Sequence, residues 1–559
     1  MLNKPDIFSK RMHAMKIDFF AANADSALTS AFVKWEEYLG IDRVLQDPEA
    51  IWRYRQCTGT SRQAVPAVLL PQTTQEIVDI VRTAARYNVP IYPISTGKNW
   101  GYGGANPASP GSVIIDLSRL NRIVDFDSEL GLITIEPGVT QQQLADYLDQ
   151  NGFHFMVPTT GGGPTCSIVG NALERGYGIT PISDHFAAVM SLEAVLPNGS
   201  IYRSALSELG ATQIDRAFKW GVGPYLDGLF AQGNFGIVTQ MTIKLAKTPA
   251  CFKAFYFGIF EDHALEALVE AVQKTMSRLG GIVGSINLMN QHRILAMTVP
   301  YPSSQVGKDG LLPTDVIAKL GRENKTMAWT GVGALYGEKL VVEAAQKIVK
   351  NLLGRATDKL LFLTPKKVKC ASQIAKFIPK KFCPNLQHRL RILDDSLQLM
   401  LGRPREVALN LAYWKKGGTS EKYEFLDPAR DGCGLIWYPP LVPIKKAAVR
   451  EYVTHVKTTC FAHNIEPLIT LTALSDHCFD STVPILFDRE NAIDTAAADR
   501  CYRALFEGGL SLGFVPYRLG PQSMSRMTGS GGTYWDLVAK LKEAVDPVGI
   551  LSPGRYAPA

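Results

Sequence analysis

Residues 92 to 104, YPISTGKNWGYGG, and 161 to 178, GGGPTCSIVGNALERGYG, decide how this chain is read. The first places Gly97, Gly101, Gly103 and Gly104 among Ser95, Thr96, Lys98 and Asn99, directly after the strand-like run VPIYP. The second holds six more glycines, among them Gly162, Gly170, Gly176 and Gly178, interleaved with Cys166, Ser167, Asn171 and Glu174. Loops without Cβ atoms let successive backbone N–H groups converge on an anion, and the hydroxyls and amides add donors. One such loop reads equally well as a tight strand connection. Two in one region, both polar and both after strands, point to a cradle for a large phosphate-bearing cofactor.

The surroundings are of mixed α and β character. The run TTQEIVDIVRTAARYN has apolar residues at helical spacing, with Thr73 and Glu76 at capping-box distance, and Thr140 and Gln143 repeat that spacing before QQLADYL. Strand-like segments SVIIDL and GLITIEPG lie between them, and VTQMTIKLA closes the glycine-rich half. After residue 248 amphipathic helices (EDHALEALVEAVQKTMSRLG, EKLVVEAAQKIVKNLLG) alternate with isolated strands. The expected division is therefore 1–248 with a core at 60–248, a second domain at 249–510, and a tail at 511–559. A tail that short has no core of its own and is expected to pack back onto a larger domain.

Several function classes are excluded by what is missing. There is no G-x-G-x-x-G, no Walker A loop and no H-E-x-x-H. Nine cysteines are scattered and never spaced C-x-x-C, which argues against a disulfide framework or a structural metal site. The net charge of +7 is too small over 559 residues to indicate nucleic acid. Neither a secretory h-region within residues 1–20 nor a membrane-spanning run is evident, so a cytoplasmic location is expected. Residues 364–383 carry six lysines and no acid, either a solvated face or a docking patch for an acidic partner or anionic substrate.

The strings PISTGKNWGYGG, SVIIDLSRL, IEPGVTQQQLADYL, GNALERGYGITPISDHF and GPYLDGLFAQGNFGIVTQMTIKL, with the ending DPVGILSPGRY, resemble the vanillyl-alcohol oxidase and p-cresol methylhydroxylase family. The resemblance covers roughly residues 60–248 and 510–556. It implies an α+β fold with a two-subdomain FAD-binding domain and an α+β substrate-binding cap. It places FAD against Ser95, Thr96, Gly97, Lys98, Asn99, Gly101 and Gly103, against Gly162, Cys166, Ser167, Gly170, Asn171, Glu174, Gly176 and Gly178, and against Gly236, Ile237, Val238 and Arg555. It also implies hydride removal from an activated benzylic, para-phenolic or alcohol carbon of a small organic substrate. Tyr102, Tyr517 and Arg518 stand at the positions that hold such a phenol as phenolate in the family. Oxygen or a redox protein would accept the electrons, and a homodimer is expected.

The chain also departs from the family pattern. Where many members attach the flavin through a histidine, the aligned position is Ser481, with His477 four residues earlier. The aspartate often found near the flavin is replaced by Thr159 or Thr160. Cys166, in PTCSIVGN, resembles the flavin-linking cysteine of berberine bridge enzymes, but the accompanying histidine position holds Asn99. Noncovalent FAD is therefore expected, with a Cys166 linkage as the alternative. Two rival readings remain at this point: a tailoring oxidase for a non-phenolic metabolite presented by an acidic carrier protein, and a non-catalytic FAD-binding protein.

Overall fold

The structure is a computed structural model that describes residues 26–377, 386–419 and 423–558. The N-terminal stretch 1–20 and Lys380, Lys381 and Cys383, on which expectations above rest, lie outside the described residues. The architecture is α+β throughout, with strands in separate sheets and helices laid on their faces.

Short apolar strands joined by a capped helix build the first layer. Val68–Leu69, Val113–Asp116 and Ile91–Ile94 pair in parallel, and Val44–Leu45 adds an antiparallel edge. Helix Thr74–Tyr87 makes the crossover. Its first turn is closed by the Thr73 hydroxyl, which accepts from the Glu76 N–H at 3.2 Å, and its end by Asn88 at φ 54°. Ile77, Ile80, Val81 and Ala84 turn inward onto the sheet, each large aliphatic side chain contributing roughly 1.5–3 kcal/mol by burial. The free edge at Ile91 is covered by the far end of the chain: the Ile91 N–H donates to the Ile550 carbonyl and the Ser552 N–H donates to the Ile91 carbonyl, each at 2.8 Å.

The second layer is an antiparallel sheet ordered Ile123–Asp127, Leu132–Ile135, Ile237–Lys244, Val189–Val195, Ile201–Arg203. Helices Gln141–Gln150 and Ile168–Leu173 cover it through Leu144, Leu148, Ile168 and Val169. Hydroxyls cap both helices: Thr140 accepts from Gln143 N–H, and Ser167 accepts from Gly170 N–H.

The third layer is a large antiparallel sheet. Its order is Lys359–Leu363, Cys251–Ile259, Trp329–Gly337, Val283–Asn290, Thr470–Ala473, Cys478–Asp488, Cys433–Tyr438. Helices Leu265–Arg278, Lys339–Leu352, Lys446–Ala462 and Ala492–Ser511 bury one face of it. Strand alternation then decides what the opposite face offers. On Cys478–Asp488, Phe479, Val483 and Ile485 enter the helix-side core, so Asp480 and Thr482 point the other way. On Cys433–Tyr438, Ile436 and Tyr438 face the helices, leaving Leu435 and Trp437 opposite.

Candidate active site

A cavity of about 360 Å³ lies where the three layers meet. One wall is the pair of glycine-rich loops, which interlock. The Ser167 N–H donates to the Thr96 hydroxyl at 3.2 Å, and a Cβ on Gly170 would come within 2.8 Å of Ser95 Oγ. Ser95, Thr96, Gly97, Lys98, Asn99, Gly162, Cys166, Ser167, Gly170, Asn171, Glu174, Gly176, Gly236, Ile237, Val238 and Arg555 border this cavity, as do Tyr102, Tyr517 and Arg518.

Three of the glycines expected at the cofactor do not border the cavity, and each has a packing reason. A Cβ on Gly101 (φ +74°) would strike the Trp437 ring, and one on Gly103 (φ +101°) would meet Pro521 at 2.7 Å. One on Gly178 would press on the Thr159 carbonyl. These glycines let other parts of the chain approach the loops. Lys98 borders the cavity, yet its ammonium is committed to Asp427 at 2.5 Å.

Glu174 organises the buried charge. Its carboxylate bridges Arg555 and Arg518, the latter at 3.3 Å from Nε. Burial alone would raise its pKa, but Arg555 and Arg518 outweigh that and hold the carboxyl below its ordinary value. Arg518 also donates to Asn99 Oδ1 at 2.5 Å and lies 4.4 Å above the Tyr102 ring, while Arg555 donates to the Tyr92 hydroxyl at 3.0 Å. Two guanidiniums against one carboxylate leave a net positive charge beside the loops.

Tyr102, which is buried, and Tyr517 and Tyr177, which are half-buried, form a row. The Tyr517 hydroxyl bonds to Tyr102, and the Tyr517 and Tyr177 rings lie 6.0 Å apart. Burial pushes all three phenols well above their ordinary value, so they are neutral donors at pH 7, with Arg518 pulling Tyr102 and Tyr517 partly back. Asp480 is close enough to act electrostatically on Tyr177 and Tyr517, and burial, with a further push from Asp184, raises it to about 7.

The positions singled out for flavin attachment separate clearly. Ser481 is fully buried on the helix side of its strand, bonded to the Tyr452 hydroxyl at 2.7 Å and donating to the Thr470 carbonyl. The alignment-based position is thus out of register with the cavity, which Thr482 borders instead. The His477 side chain is 86% exposed. Thr159 donates to the Leu399 carbonyl at 2.8 Å, whereas Thr160 borders the cavity and accepts from Gln141 Nε2. Cys166 borders it too, but burial pushes the thiol up to about 12, and Sγ bonds to the Gly162 carbonyl at 3.0 Å.

Arg293, Trp437, Tyr177, Thr482 and Asp480 went unnoticed in the sequence. Tyr177 sits inside the quoted GYG string, where alternation of glycine and aromatic residues was the available signal. The others come from separate strands and a helix of the cap, and no local pattern marks them.

The residues present fit FAD. The interlocked loops are shaped by glycines whose Cβ atoms would close them, and they carry backbone and hydroxyl donors beside a buried net cation. Among the described residues no cluster suited to a metal ion occurs.

The comparisons with known proteins agree with this geometry. The family described as an FAD binding domain matches residues 65–205. Over 531 residues, 95% of this chain and 97% of the relative, the sequence is 35% identical to 1'-carboxy-chondrochloren decarboxylase of Chondromyces crocatus. The chain belongs to the p-cresol methylhydroxylase and vanillyl-alcohol oxidase type of FAD-dependent oxidoreductases, and is an FAD-dependent enzyme acting on a small substrate. It is also 28% identical to the flavoprotein subunit of 4-cresol dehydrogenase (hydroxylating) of Pseudomonas putida, covering 94% of both chains. The structure of p-cresol methylhydroxylase with substrate bound superposes with a TM-score of 0.85 at 26% identity, covering 95% of this chain and 97% of that one.

Proposed function

We propose that the protein removes hydride from the benzylic carbon of a para-substituted phenol whose oxygen is held by Tyr102, Tyr517 and Arg518. The observation that carries this reading is the conjunction of a buried and a half-buried phenol, Tyr102 and Tyr517, with the buried Arg518 guanidinium at one cavity. Bound FAD supplies the two-electron acceptor. Tyr102 and Tyr517 are neutral phenols bonded to each other, so the pair has one O–H free to donate to a substrate oxygen, and Arg518 stabilises the negative charge on that oxygen as its proton leaves. Asp480, raised to about 7 by burial and Asp184, is the group near this row that titrates close to neutrality and is the acceptor of that proton in this reading. The 4-cresol dehydrogenase relative supports the phenolic substrate. The decarboxylase relative supports a second reading, loss of carbon dioxide from the substrate in the same site.

FAD is held without a covalent bond in this reading, because Cys166 is a buried thiol far from forming thiolate at neutral pH. The cap spans 249–510, with 511–559 returning to the FAD domain, which the contacts of residues 550–552 with Ile91 support. A reducing cytoplasmic setting is supported by the cysteines, all free among the described residues. A docked acidic carrier is supported by exposed Lys366, Lys367, Lys369 and Lys376. The deciding experiment is anaerobic addition of 4-alkylphenols and of the matching alkylbenzenes to the purified holoenzyme. The phenols bleach the flavin absorption and the benzenes do not; equal bleaching by both would reject the phenol clamp. Admitting air then shows whether oxygen is the acceptor.

A further inference from the structure

Three arginines border the cavity, and their electrostatic situations differ. Arg518 and Arg555 share Glu174. Arg293 has no carboxylate partner among the described residues, although it is only 9% exposed, and its Nε and Nη1 make no hydrogen bond at all. Leaving buried guanidinium N–H groups unpaired is costly, so such an arrangement persists where a ligand completes it.

The position is also rigidly built. Arg293 lies in the first turn of helix Gln291–Thr298, capped by Asn290. Asn290 Oδ1 accepts from the Arg293 and Ile469 N–H groups, each at 3.0 Å, and its Nδ2 donates to the Pro467 carbonyl at 2.7 Å. The guanidinium is then held 5.5 Å from the centre of the Trp437 ring. Burial draws its pKa down to about 10, with Tyr177 opposing weakly, so it stays protonated at neutral pH while lacking a counter-charge. Asp480 acts electrostatically on Tyr177 and Tyr517, whereas Tyr177 is the titratable group that acts on Arg293.

We infer that Arg293 is the subsite for a carboxylate on the substrate's para side chain, so that the substrate class is carboxylated 4-alkylphenols rather than simple alkylphenols. The inference rests on the proposed phenol clamp only for which end of the substrate carries the acid. A planar carboxylate matches the free Nε and Nη1 edge of a guanidinium as a two-point acceptor, which a neutral amide or alcohol does not. The arginine borders the cavity with Trp437 and Thr482 of the large sheet, and Trp437 packs on Gly101 of the first glycine-rich loop, its backbone N–H donating to the Gly101 carbonyl at 3.3 Å. Tyr177 lies between it and the clamp, acting electrostatically on Arg293 and facing Tyr517.

The test uses purified holoenzyme and two probe pairs: 3-(4-hydroxyphenyl)propanoate with its primary amide, and 3-phenylpropanoate with its primary amide. For the unhydroxylated pair dissociation constants are read anaerobically from perturbation of the flavin spectrum and independently by calorimetry; for the hydroxylated pair, which reduces the flavin, apparent constants are read from the concentration dependence of the anaerobic reduction rate. In each pair the acid is expected to bind the wild type about tenfold or more tighter than the amide. Arg293→Gln should reduce that ratio to about twofold or less with FAD content unchanged, and Arg293→Lys should keep part of it. Equal binding of acid and amide by the wild type overturns the inference. So does a ratio that survives Arg293→Gln, or loss of FAD from that variant, which would give the guanidinium to the cofactor. Should Arg293→Gln fail to fold, the wild-type ratio and the Arg293→Lys ratio decide. If the hydroxylated and unhydroxylated pairs behave alike, the phenol clamp fails, while the acid-to-amide ratio still judges Arg293.

Discussion

The two walls of the cavity are made of different materials. The FAD-domain wall is mostly backbone, two continuous loops locked together by Thr96, Ser167 and Gly170, and its two guanidiniums, Arg518 and Arg555, share the carboxylate of Glu174. The cap wall is made of side chains drawn from distant points, Arg293 from a helix and Trp437 and Thr482 from two strands, and its guanidinium is unpartnered. On the loop wall each guanidinium has a carboxylate beside it, whereas Arg293 has none among the described residues. In the proposed reading the loop wall carries both the cofactor seat and the phenol clamp, and the cap wall adds an unpaired cation to them.

The difference is most forcefully broken at the loop junction. Gly170→Val places branched carbons where even a Cβ lies 2.8 Å from Ser95 Oγ, so the expected product is a folded but colourless protein. A variant that purifies with a full complement of FAD would show that the junction does not shape the seat. Next in size is Glu174→Ala, which strands Arg518 and Arg555 in a buried site. A loss of about 3 to 5 kcal/mol in urea unfolding is expected. Because the folded pKa of Glu174 is depressed, its contribution is present above the unfolded value and disappears as pH falls through the folded one. A change within about 0.5 kcal/mol would mean that the charges of this wall are not settled by Glu174.

This contrast also explains how far the sequence could be read. The loop wall is legible because a backbone cradle must be written contiguously, as STGKNWGYGG and SIVGNALERGYG are. Helix Thr74–Tyr87 announced itself through Thr73 and its apolar spacing. What the glycines of one string do was not legible: Gly97 and Gly101 look alike, yet the first borders the cavity and the second makes room for Trp437, a residue 336 positions away. On the cap, a shift of one residue exchanges the faces of a strand. That is why alignment pointed to Ser481, which turns to Tyr452, while Asp480 and Thr482 face the opposite way. Arg293 stands in NQHRILAMT like any helical arginine, and only tertiary structure shows that it has no partner.

Arg518 joins the two walls in function, and its removal is the third test. Arg518→Ala leaves the Glu174–Arg555 pair and so should retain FAD, yet it deletes the charge opposite the substrate oxygen. The expected loss in the rate of flavin reduction is about 2 to 4 kcal/mol in barrier, roughly 30-fold to 1000-fold. Near wild-type reduction with FAD bound would confine Arg518 to a structural part in the Glu174 cluster.

The smallest expected effect sharpens the comparison through pH, because the carboxylates of the two walls shift in opposite directions. Glu174 is held below its ordinary value, whereas burial and Asp184 raise Asp480 to about 7. With an unfolded value near 3.9, Asp480 binds more proton in the folded state between about pH 4 and pH 7. Stability is therefore lost as pH rises across that window and is not regained above it. Asp480→Asn carries no such proton, so it should exceed the wild type in stability at about pH 8 by about 1 to 2 kcal/mol, less than the roughly 4 kcal/mol ceiling of the shift because Asp480 is only partly buried. The gap should close below about pH 3, where both states of the wild type are protonated. Thermal unfolding of the two proteins across this range reads it directly. The same variant should lose any step near pH 7 in the rate of flavin reduction, since that step belongs to the Asp480 proton acceptor. A wild type that is the more stable protein at pH 8, together with an unchanged rate profile, would place Asp480 among ordinary ionised carboxylates and leave Arg293 as the cap wall's one unsettled charge.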